Sequence, residues 1–172
     1  MSFNHLKQFE ARELAVRLLR RKLRAKAASS LSGVPLLEIR QLHRQLYGTC
    51  ASSGQVPLSP TFSKTRMAQA MLSNFVTLYQ RLGGQRIFKR LEVTDLERTF
   101  DLFHELKLGT YQFTEVWVIA RDLISGQIQM KQCGLCRSQY VIVLEARTPP
   151  TCPFCALKHR RKRARRRALS HA

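Results

Sequence analysis

Acidic residues are scarce in this chain: 11 Asp and Glu stand against 30 Lys and Arg, a net charge of +19 with a sequence pI near 10.9. Such an excess strains a compact state by self-repulsion and is retained where a polyanion neutralises it, so nucleic acid is the first candidate partner. Solubility alone calls for far less charge. Long apolar runs are missing as well. The longest, Tyr140 to Leu144, falls far short of the roughly 20 residues a bilayer span requires, which excludes a transmembrane helix. No basic amphipathic helix with a Trp-, Phe- and Leu-rich face accompanies the main charge run, so a membrane surface is not the expected partner. The opening Met1-Ser2-Phe3-Asn4-His5 carries no apolar signal segment, and a cytoplasmic protein without disulfides is expected. Absent too are a Gly-rich phosphate loop and a carboxylate cluster suited to Mg²⁺, and nothing near His104 supplies the pair of orienting carboxylate and nucleophile that a catalytic histidine needs. An enzyme is not expected.

What the chain does have is sulfur at a telling spacing. Cys133-Gly134-Leu135-Cys136 is followed after fifteen residues by Cys152-Pro153-Phe154-Cys155. Two Cys-x-x-Cys pairs at this separation form two tight knuckles, each offering two thiolates, as a tetrahedral Zn²⁺ site requires. Cys133, Cys136, Cys152 and Cys155 together fill the coordination shell and leave no position for water or substrate. One structural zinc per chain is expected, rather than a catalytic one. A redox pair would not come twice, and His159 has no place once four sulfurs are present. Cys50, before a Ser/Gly/Pro loop, is read as an uninvolved reduced thiol.

At 172 residues and 44% hydrophobic content the chain has material for one ordinary core and a small appendage. The expected fold is mainly α: an all-α body over residues 1–126, a four-cysteine zinc-ribbon-like module over 127–157 and a basic tail over 158–172. From His5 to about Ala28, Leu6, Phe9, Leu14, Val16, Leu18, Leu19 and Leu23 recur at helical spacing. The segment 29–35 breaks that helix, and a second runs from Pro35 to Tyr47 with Gly48 as its stop. Together, about residues 13–48 read as a helix-turn-helix-like segment, with Gly33 at the positive-φ turn position and Val34, Ile39, Leu42 and Leu46 packed inward. Arg40, Gln41, Arg44 and Gln45 then face outward, with side chains able to reach base edges or phosphates from a major groove.

A loop over 49–61 leads to a helix with Met67, Met71, Phe75, Leu78 and Leu82 on one face, ending at Gly83-Gly84. Thr94-Asp95-Leu96-Glu97 reads as a capping box opening a helix that stops at Gly109, and Thr114 opens another that closes before Gly126. Beyond Gly126 the period changes from near four to two, through Ile128 and Met130, the first knuckle, and the β-rich run Tyr140–Leu144. A module of this size cannot bury a core of its own, so metal is expected to hold it folded. The chain closes on a cationic run, Lys158, Arg160, Arg161, Lys162, Arg163, Arg165, Arg166 and Arg167, suited to gripping phosphates without reading sequence.

Several of these features coincide in one family. The segment Gly33-Val34-Pro35-Leu36-Leu37-Glu38-Ile39-Arg40-Gln41-Leu42-His43-Arg44-Gln45-Leu46-Tyr47-Gly48, the Gly54-to-Pro57 loop and the C-terminal placement of the four cysteines resemble the FlhC family. That family is the C subunit of the bacterial flagellar master transcriptional activator, with relatives on conjugative plasmids and integrative elements. The resemblance implies a DNA-binding activator subunit that joins a smaller helical D-type (FlhD-like) subunit in a hetero-oligomer, binds double-stranded promoter DNA and recruits RNA polymerase. It also implies that the four cysteines hold zinc and that DNA contact falls on the basic helix and its neighbourhood. Target promoters would be those of flagellar genes or of a mobile element's conjugative-transfer genes. An RNA- or ribosome-associated zinc-ribbon protein is the alternative, sharing the charge and the metal without needing a helix-turn-helix segment.

Overall fold

The computed structural model describes residues 2–52 and 55–159, with side chains from His5 onward. The cationic run Arg160, Arg161, Lys162, Arg163, Arg165, Arg166 and Arg167, and the loop residue Gly54, lie outside the described residues. Two compact units form: Met1–Val56 with Gln112–Glu115, and Pro57–Tyr111 with the described residues from Val116 onward.

The first unit holds three helices, α1 (Ser2–Arg20), α2 (Ala25–Ser32) and α3 (Leu36–Tyr47). Expectation and structure differ at the first boundary, where one helix to Ala28 becomes two. Lys22 takes the left-handed conformation (φ 61°), its N–H bonds the Leu19 carbonyl at 2.8 Å, and the Leu23 N–H bonds the Leu18 carbonyl at 3.1 Å. This is a Schellman closure with lysine at the position glycine usually takes, and the following Leu23 tucks into the core. Thr114 Oγ1 bridges the break, donating to the Lys22 carbonyl and accepting from the Arg24 N–H that precedes α2.

The α2–α3 turn follows the sequence closely. Gly33 has φ 74° and bonds the Ser29 carbonyl, and Gly48 ends α3 with φ 68° on the Arg44 carbonyl. Ala15, Leu18, Leu19, Ala27, Ala28, Val34 and Ile39 make the core of this unit, and the Tyr47 hydroxyl ties α3 to the end of α1 through the Leu19 carbonyl. Leu42 and Leu46 are half-buried, and Leu6 and Phe9 are exposed rather than packed.

The second unit is built on α4 (Arg66–Gly83) and α5 (Val93–Glu105), with a 3-10 turn at Ser59–Ser63 before them. The greater part of α6 (Phe113–Ile124) follows, then an antiparallel hairpin of β1 (Ile128–Gln132) and β2 (Gln139–Val143), and a closing helical turn over 153–159. Thr65 caps α4 by accepting the Ala68 N–H, and Gly84 ends it. The buried face of α4 is Leu72, Phe75, Val76 and Tyr79; Met67 and Leu82, placed on the inner stripe by periodicity, are exposed. Phe75 meets Phe103 and Tyr111 edge-on, with ring centroids at 5.3 and 5.7 Å, an arrangement that suits the aromatic quadrupole.

The capping box does not form. Helix α5 begins two residues earlier, after Glu92, so Thr94 lies inside it; Asp95 meets Arg86 and Glu97 is buried. Its far end repeats the lysine closure, Lys107 (φ 53°) bonding the His104 carbonyl and Leu108 the Phe103 carbonyl, two residues before Gly109.

Candidate metal centre and basic helix face

Strand β1 delivers the first cysteine pair. The Cys133 N–H bonds the Ser138 carbonyl at 3.0 Å and the Arg137 N–H returns to the Cys133 carbonyl at 2.9 Å, closing a tight turn before β2. The second pair opens the 153–159 turn, where the Ala156 N–H bonds the Cys152 carbonyl. Cys133, Cys152 and Tyr140 are buried together, with Ile142, Phe154 and Cys155 packed against them.

All four sulfurs lie within 4.8 Å of one another. Cys133 and Cys155 Sγ are 3.8 Å apart, and Cys136 and Cys152 Sγ 3.7 Å. A tetrahedral ion with metal–sulfur bonds of about 2.3 Å has a sulfur–sulfur edge of about 3.8 Å, so the donor set fits a metal ion of zinc's size and preference. The thiols differ in acidity. Ser138 bonds to Cys136 hold its pKa down at about 6, while the bond with Cys136, then burial, push Cys155 up to about 12; burial also raises Cys152.

A second layer holds both knuckles, and sequence reasoning missed it. Within the second unit, Gln69 Nε2 donates to the Val141 carbonyl at 3.0 Å, and Ser73 Oγ accepts the Val141 N–H at 3.1 Å, so α4 satisfies the outer edge of β2. Arg66 Nη1 donates to the Pro149 and Thr151 carbonyls and to Gln69 Oε1, each at 2.9 Å, and Nη2 to Thr151 Oγ1 at 2.7 Å. One guanidinium therefore fixes the approach to Cys152.

In the first unit, Arg40, Gln41, Arg44 and Gln45 are all exposed on α3, while Ile39 on the same helix is fully buried. Arg44 Nη2 donates to Cys50 Sγ at 3.1 Å, giving that thiol a contact the sequence did not suggest. Lys158, at the start of the cationic run, is exposed. His104 bonds the Phe100 carbonyl one turn back on α5, a structural contact. Among the described residues no helix is long and apolar enough to cross a membrane.

A family model described as "Flagellar transcriptional activator (FlhC)" matches residues 4–168. The flagellar transcriptional regulator FlhC of Cupriavidus metallidurans is 25% identical over 169 residues, covering 96% of this chain and 79% of that protein. Its counterpart in Verminephrobacter eiseniae is 24% identical over 157 residues, covering 88% of this chain and 83% of that one.

Proposed function

The chain belongs to the FlhC family, transcriptional activators rather than enzymes, and from that premise we propose that it is the DNA-contacting subunit of a promoter-binding activator. It assembles with a D-type helical subunit and recruits RNA polymerase at promoters of flagellar genes or of a mobile element's transfer genes. The observation that carries this reading is the outer face of α3, where Arg40, Gln41, Arg44 and Gln45 stand exposed opposite a buried Ile39. Arginine reads guanine and glutamine reads adenine in the major groove, and both also bind phosphate. Lys158 and the arginines that follow it in sequence, Arg160 to Arg167, add grip without specificity.

Zn²⁺, one per chain, is the ion that Cys133, Cys136, Cys152 and Cys155 would hold, and it would supply a cross-link between two segments distant in sequence. With four sulfurs around it, its role is structural.

The test is competitive binding with promoter duplex, random duplex and an RNA hairpin of matched length, at several salt concentrations. Arg44→Ala should lose about 1–3 kcal/mol on the specific site and little on random DNA. RNA that displaces the promoter as well as duplex does would overturn the reading.

A further inference from the structure

The second unit carries an open groove of about 800 Å³ that none of the assignments above uses. The C-terminal end of α4 forms one wall, and the first cysteine turn with the adjoining strand ends forms the other; Phe154 also lines it. Among the described residues, Arg81 and Arg137 are the only charged ones that line it. The rest of the polar lining is largely amide, including Asn74, Gln80 and Gln139, and no carboxylate of the described residues enters it.

Two cations with no carboxylate beside them give the groove a net positive lining among the described residues. Neither Arg81 nor Arg137 forms an ion pair among the described residues, a state they share with Arg40, Arg98 and Arg147, so both guanidinium charges are open to an external anion. Arg137 is also held at φ 58°, directly after Cys136. Glycine adopts that left-handed conformation freely and a side chain does so at a cost, which the chain also bears at Lys22, Lys107 and Glu145.

We infer that this groove grips the phosphodiester backbone of duplex DNA through Arg81 and Arg137, with the lining amides against the sugar-phosphate edge. The inference rests on the DNA-binding reading above and adds a second contact surface, next to the metal centre and distinct from α3. Because Arg137 sits within the first cysteine turn, the metal-held geometry also sets where this phosphate contact falls.

Fluorescence anisotropy of the full, zinc-loaded chain with a labelled mixed-sequence 30-base-pair duplex, across a salt series, tests it. Arg81→Gln combined with Arg137→Gly should weaken binding roughly tenfold and lower the log–log salt slope by about 2, at about 0.9 per phosphate contact. Zinc content should be unchanged, and the thermal midpoint of Arg137→Gly equal to or above that of the parent, since glycine relieves the turn. Arg81→Gln alone, outside the cysteine turn, should lower the slope by about 1 even if the glycine variant loses metal. A parent chain that binds duplex, with both variants keeping its slope, overturns the groove and leaves the DNA-binding reading standing. A parent chain that ignores duplex both alone and together with its D-type partner overturns both.

Discussion

Arg66→Ala is the substitution that most directly asks how the second cysteine pair is positioned. The Arg66 guanidinium makes three hydrogen bonds to the 149–151 segment, to two carbonyls at 2.9 Å and one hydroxyl at 2.7 Å, and a fourth to Gln69 Oε1. A charged hydrogen bond contributes about 1.5–3 kcal/mol when well shielded. These lie at a partly exposed site, so the three together are taken as about 1–2 kcal/mol, most of it the ordering of residues 149–151 ahead of Cys152. At about 1.4 kcal/mol per decade this predicts zinc binding weakened about 5- to 30-fold, overlapping the lower part of the roughly 10- to 100-fold range seen when partners of ligating residues are removed. Arg66→Lys should recover less than half of the loss, because a single ammonium cannot reproduce the two-nitrogen fork. Competition against a chromogenic chelator at fixed pH measures both variants. Affinity of Arg66→Ala within twofold of the parent would refute the assignment of this arginine as the latch.

Phe75→Ala removes a fully buried ring that meets Phe103 and Tyr111 edge-on and should cost the second unit about 3–5 kcal/mol in urea unfolding; a loss under about 1.5 kcal/mol would contradict the packing. Zinc affinity should fall steeply with acid. The metal-free cluster holds Cys152 and Cys155 protonated by their raised pKa values, so binding at neutral pH releases at least two protons and the apparent constant drops by at least about 100-fold per pH unit. Cys136, with its pKa lowered to about 6, is a thiolate above that pH and joins as a further proton only below it, steepening the slope there. Chelator competition between about pH 5 and 8 reads this, and a flat profile would exclude thiolate ligation.

The parts of the fold that could be read from sequence are those whose signals are local. Gly33, Gly48 and Gly84 each take the positive φ that a helix terminus asks for, and the ends of α2, α3 and α4 fall beside them. The misplaced ends share one cause: Lys22 and Lys107 occupy the left-handed closing position, where lysine gives no sequence signal, and at the first of them the buried Leu23 supplies the apolar contact that completes the closure. The false capping box has a tertiary cause. Arg86 draws on Asp95 and burial takes Glu97, so the helix start moves back to Val93 and strands Thr94 inside it. On α4 the buried residues at 72, 75, 76 and 79 follow helical spacing, but the stripe is rotated away from Met67 and Leu82, which periodicity alone could not exclude.

At the metal centre the same division separates ligands from their supports. The four cysteines are legible because ligand spacing is a property of short segments, whereas Gln69, Ser73 and Arg66 act across 68 to 85 residues and leave no local pattern. Their contacts change the expected role of the metal. A freestanding ribbon would depend on the ion for its fold, but β2 is bonded to α4 at both the N–H and the carbonyl of Val141, and Val141, Val143 and Ile128 are buried. The hairpin therefore has support that does not pass through sulfur, and the ion's own contribution falls on the two cysteine turns and the 149–151 approach. Chelation should accordingly loosen the turn bearing Arg137 before it melts the hairpin, linking metal occupancy to the position of a cation rather than to the survival of the fold.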